Sequence, residues 1–154
     1  MIEAIIRFVD LLLVSLMVGT MFGVWLLFNP VGLSPGFYVE LHQHGIRTLN
    51  TPMPILGAVC TLLTIVLAIL DRGNDAVCFM LVVTVVCLLG GGMITRFLNQ
   101  PINSQVMTWS IQAPPSNWTE LRDQWWQWHI VRMLAGIVAL SLLILATLVG
   151  NRGA

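Results

Sequence analysis

Residues Leu11 to Phe28 read LLLVSLMVGTMFGVWLLF, a stretch without a single charge. A helix rises 1.5 Å per residue, so a run of this length and character suits a hydrocarbon layer of about 30 Å. With Ile5 to Val9 ahead of it, the stretch predicts a membrane span over about residues 5–28. It is longer than the apolar region of a signal peptide, and no small-x-small cleavage pattern follows, so it reads as a retained helix.

Working outward, three more apolar runs predict spans at about 52–70, 76–97 and 125–149. Composition agrees: 57% of the 154 residues are hydrophobic and only 9% charged, against roughly a quarter charged in soluble domains. The seven Arg are scattered, there is no Lys, and seven acids balance them. No basic run exists to hold phosphates, which excludes DNA and RNA as partners. Cys60, Cys78 and Cys87 lie inside apolar runs and read as small buried hydrophobes. The expected fold is all-α, an integral membrane four-helix bundle forming one domain over 1–154, with the lipid bilayer as its solvent.

The connections are informative. Ser34-Pro35 resembles an N-cap with proline at the first helical position. A short interfacial helix should start there, carrying Tyr38, Glu40, His42, His44 and Arg47, until Pro52 and Pro54 interrupt it near Asn50. Glu40 and His44, four apart, can pair on a wet surface, with His42 pointing elsewhere. The polar turn Asp71 to Asp75 is short enough to force spans two and three antiparallel. Gly90-Gly91-Gly92 reads as a local kink or, the preferred reading, a close helix contact, since small residues let backbones approach in lipid. Leu98 to Gln124 reads as a long loop, and Asn117 with Glu120 as a capping box that opens a long last helix at Trp118.

Four spans put both chain ends and the 71–75 turn on one face, and segments 29–52 and 98–124 on the other. All three histidines and five of the six tryptophans fall near the second face. Arg7, Arg72 and Arg152 sit on the first face, Arg47, Arg96 and Arg122 near the second, and Arg132 a little inside. The two faces nearly balance, so the count barely decides orientation; the expected arrangement puts both termini in the cytoplasm, in a bacterial inner membrane.

Arg122, Trp125, His129 and Arg132 recur at spacings of three, four and three, one helical stripe. Ionisable groups at the start of a span normally face a partner or a cavity. The break at Asn50 leaves carbonyls that a ligand can satisfy. Against this stands a bland alternative in which Arg132 snorkels to phosphates and the tryptophans form an interfacial belt.

Asn99-x-Pro101-Ile102-Asn103, followed by Trp125-x-x-x-His129-x-x-Arg132, resembles the small four-span membrane proteins grouped with the fungal anthrone oxygenases. The resemblance implies a cofactor-independent monooxygenase that uses O2 to turn an anthrone into an anthraquinone, with Asn103, His129 and Arg132 as matched positions. His129 is then the expected base and Arg132 the oxyanion stabiliser. Asn50, Arg47, Trp125, Arg122 and Asn99 are the expected contacts to a lipophilic aromatic substrate. The segment Leu41 to Arg47 finds no match in the fungal enzymes.

Two other readings stay open. Imidazole is a common ligand, so His42, His44 and His129 are alternative ligands for a metal or haem in electron transfer. The chain is otherwise a non-enzymatic accessory subunit or small-molecule carrier, in a homo-oligomer or membrane complex.

Overall fold

The computed structural model describes residues 1–150; Arg152, counted above in the charge balance, lies outside them. Helix α1 spans Ile2–Leu27, α2 Pro35–Leu49, α3 Pro52–Leu70 and α4 Asp75–Ile94. A π-helical turn, Thr95–Asn99, carries α4 into α5, Gln100–Val106, and α6 spans Trp118–Gly150. Four of these stretches, Ile2–Leu27, Pro52–Leu70, Asp75–Val106 and Trp118–Gly150, are long and apolar enough to cross a membrane. The protein is an integral, multi-pass four-helix bundle.

The bundle closes as a ring in which α1 packs on α3 and α6, and α4 packs on the same two. Its core joins Val14 and Val18 of α1, Cys60 and Leu67 of α3, Leu81 and Leu88 of α4, and Ala139 and Leu143 of α6. The outward residues are equally apolar: Phe8, Leu62, Phe79 and Val86 are each more than 60% exposed. Such surface is tolerable only against lipid. Hydroxyls within the spans are satisfied by their own helix, as where Thr61 donates to the Gly57 carbonyl and Thr84 to that of Met80.

At the end holding the α3–α4 turn, Arg7 bridges Glu3 and Asp71. Asn74 caps α4 by accepting from the Val77 N–H. One turn deeper, the Asp10 carboxyl accepts from Thr64 at 2.8 Å. At the opposite end α2 packs across α3 and α5. Gln43 donates to the Val106 and Trp109 carbonyls at 2.9 and 3.0 Å, tying the end of α5 and the segment after it to α2. Gly36 is needed there, because a Cβ would lie 2.8 Å from the Ile111 carbonyl oxygen.

Helix α2 begins at Pro35 and the break falls at Asn50 and Thr51, as the prolines predict. The long loop is corrected. Span three does not stop at Phe97 but continues as helix to Val106, leaving a connection of residues 107–117. Pro101 cannot donate to the helix ladder and its ring crowds the carbonyl four residues earlier. The widened turn just before it relieves that conflict. The triple glycine is also only partly a contact: a Cβ at Gly91 would come within 3.9 Å of the Arg132 carbonyl, whereas no described atom lies within 4 Å of one at Gly90 or Gly92.

This topology makes an accessibility prediction. In a cysteine-free background, probe cysteines at Ser34 and Ser116 should react with an impermeant thiol reagent from the same side of sealed vesicles. Labelling from opposite sides would refute the four-span arrangement.

Candidate functional site

Where α2 crosses the bundle, a cavity of about 380 Å³ opens between α1, α2, α3, the π turn, α5 and α6. That volume is within the usual range for small-molecule pockets. Val24 of α1, Phe28 just after it and Ile46 of α2 give it apolar walls. Its polar groups arrive from separate elements: His42 from α2, Asn50 from the break, Thr95 from the π turn, Asn103 from α5, and His129 and Arg132 from α6.

Helix α6 supplies the cation. The Arg132 guanidinium donates from Nε and Nη2 to His129 Nδ1 at 3.3 and 3.0 Å, and from Nη1 to Thr95 Oγ1 at 3.1 Å. Thr95 can accept because its own proton goes to the Gly91 carbonyl at 2.9 Å. Since His129 Nδ1 accepts, its proton is on Nε2, which donates to the Met21 carbonyl at 3.1 Å. His129 is fully buried and stacks within 5° of parallel on Trp125. Among the described residues, no carboxylate pairs with Arg132; the ion pairs belong to Arg7 and Arg122.

Helix α2 supplies a second chain of hydrogen bonds. Asn103 Oδ1 accepts from His42 Nε2 at 3.2 Å, so His42 Nδ1 accepts from the Tyr38 hydroxyl at 2.8 Å. The His42 ring lies 4.5 Å from that of Trp125 and edge-on to Phe28. Burial lowers the His42 pKa from 6.5 to about 4; the Asn103 hydrogen bond opposes this shift and the Arg132 charge adds to it. The same burial raises the pKa of the Tyr38 hydroxyl above its usual value of 10.0. Because folded His42 holds its proton less tightly than the unfolded chain does, its contribution to stability is complete above about 6.5 and is lost as pH falls toward 4.

Trp125, His129, Arg132, Asn103 and Asn50 therefore meet around one space, as the sequence led us to expect. Asn50 sits at its mouth and accepts from Gln100. Three expected contacts do not reach it. Arg122 bonds to Asp123 at 2.7 Å and lies over Trp118, Arg47 is exposed beside Gln43, and Asn99 is fully buried with its amide donating to the Trp125 carbonyl. The tie from Asn99 holds the π turn against α6. His129 also lacks the free lone pair that a base requires, because Arg132 occupies it.

His42 with Tyr38 is the pair that sequence reasoning missed. The clue is their spacing of four, on the α2 face opposite Glu40, His44 and Arg47. Glu40 and His44 are exposed, and no contact between them is recorded among the described residues. Nor do the described residues hold a group of three or more His, Cys, Asp or Glu that could bind a metal. The ring nitrogens of His42 and His129 already have protein partners.

Residues 44–142 match the anthrone oxygenase family. The chain belongs to that family. No curated protein and no solved structure matches it. The anthrone oxygenase segment contains Asn50, Thr95, Asn103, Trp125, His129 and Arg132, whereas Tyr38 and His42 precede it.

Proposed function

We propose that the protein is a membrane-embedded oxygenase that takes a proton from an activated C–H of a lipophilic, anthrone-like aromatic and inserts oxygen from O2 at that carbon. The observation that carries this reading is an arginine that has no carboxylate partner among the described residues and lines the same apolar cavity as a neutral histidine. An unneutralised cation at this depth costs about 2.5–3.5 kcal/mol. A substrate anion offsets that cost.

In this reading His42 first switches tautomer, its Nδ1–H donating to the Tyr38 oxygen as Asn103 swings away from Nε2, and the Nε2 lone pair so freed takes the proton. Asn103 loses the His42 proton as partner and turns to a substrate hydroxyl. The electron pair left by the proton spreads into an enolate whose oxygen faces Arg132. Burial makes the imidazolium unfavourable on its own, so the enolate and Arg132 together decide whether the transfer is productive. His129 and Thr95 act as positioning residues that fix the guanidinium, and Trp125 stacks on the flat ring.

The electron-rich enolate passes one electron to O2, the radical pair collapses to a peroxide at that carbon, and loss of water leaves a carbonyl. The balance is one CH2 plus one O2 giving one C=O plus one H2O. His42 returns its proton to the departing oxygen. The purified protein should therefore consume one O2 per anthrone and yield the anthraquinone, read by an oxygen electrode and by product absorbance. Anthrone loss no faster than in protein-free detergent would retire this reading.

A further inference from the structure

A second cavity, of about 660 Å³, lies between α3 and α4 and reaches inward to Met17 of α1 and Gly136 of α6. Residues with little or no side chain hollow it, namely Gly57 and Ala58 of α3 and Gly91 and Gly92 of α4. Its rim carries Leu62, Ile65, Leu89, Met93 and Phe97, all exposed on the outer surface of the bundle. This groove is not separate from the candidate site. Met21, Met53, Pro54, Thr95, Gln100 and Arg132 line both, so the two cavities adjoin along this shared wall, one with a polar end at His42 and Arg132 and the other apolar and open toward the bilayer.

We infer that the substrate is a tailed aromatic, whose flat phenolic head sits at His42 and Arg132 while a long aliphatic chain leaves through the α3–α4 groove into the lipid. This rests on the oxygenase reading and narrows its substrate. Bilayer chains are as apolar as the groove lining, so the tail gains no hydrophobic driving force by moving between them. The head supplies the affinity, and the tail requires only an exit at membrane depth. The glycines of α3 and α4 provide it without parting the helices. That Arg132 lines both cavities is what favours a tethered head over an ordinary lipid acyl chain, which has nothing to place beside the guanidinium.

The test uses a hydroxyanthraquinone bearing an alkyl chain with a terminal diazirine, photolysed with the full protein in lipid nanodiscs. Adducts should concentrate on Leu62, Ile65, Leu89 and Met93, and excess hydroxyanthraquinone lacking the chain should remove them. Gly92→Trp fills the groove from a position with open space around it, and should cut those adducts about tenfold, equivalent to about 1.4 kcal/mol. Val86→Trp, on the lipid face outside the groove, should leave them in place. Groove adducts that survive the competitor would mark a site for lipid chains and overturn the proposal, as would adducts spread evenly over the lipid-facing surface. Competed groove labelling without oxygen uptake would retire oxygenation and leave the tailed ligand standing. Uptake with tail-less anthrone but scattered labelling would do the reverse.

Discussion

Replacing His42 by glutamine is expected to lower anthrone-dependent oxygen uptake by about 10²- to 10⁴-fold, the contribution of a positioned general base. Glutamine keeps a donor for Asn103 and an acceptor for Tyr38, so the variant should reach the membrane at normal abundance. The companion His129→Gln should lose much less, because His129 already accepts from Arg132 and its part is to hold that side chain. The pH profile adds an independent mark. A base buried as His42 is stays neutral down to about 4, so kcat/KM of the wild type should fall only as pH drops through that value, not near 6.5. Near-normal turnover in His42→Gln beside a dead His129→Gln would return the base role to His129.

The second large effect concerns Arg132. Exchange for methionine removes the cation facing the developing enolate and should reduce kcat by about 10²- to 10³-fold, the usual loss for one oxyanion donor. Stability should move the other way or not at all. Deleting an unneutralised charge at membrane depth recovers about 2.5–3.5 kcal/mol, while leaving His129 Nδ1 without a donor costs about 1–3 kcal/mol. The measurement pairs turnover with thermal unfolding in the same detergent. A marked drop in the unfolding midpoint would show that Arg132 is a structural tie, and retained turnover would remove it from the chemistry. Arg132→Lys separates charge from shape: a point charge cannot reach His129 and Thr95 together as the planar guanidinium does.

The spans were legible because an uncharged run of their length has few uses outside a bilayer, and Pro52 marked its break because proline acts locally. Pro101 misled for the same reason. Its local message is a stop, but five residues of π turn absorb the conflict, and nothing in the pattern of apolar residues announces a turn of that width. The α6 stripe was half right, since helical spacing fixes direction around an axis but not height along it. Arg122 shares the direction of His129 but stands about 10 Å away along the helix, where Trp118 and Asp123 occupy it. His42 depended on α2 lying across the bundle, a tertiary fact, so its spacing with Tyr38 had no visible purpose.

The π turn has a consequence for how such a site can arise or be lost. Inward-facing positions of span three run 77, 81, 84, 88 in the core, 99 at the end of the turn, and 102 and 106 beyond it. At about 100° per residue, 88 and 99 fall within about 20° of one direction, and one residue fewer or more between them would turn everything after it by about 100°. Segment length between Thr95 and Asn99, more than its chemistry, therefore determines that Asn99 meets α6 and Asn103 meets His42. Losing a single residue there would leave the packed lower bundle untouched and swing both amides off the interior, so a lineage could switch this pocket off, or on, by an indel of one codon.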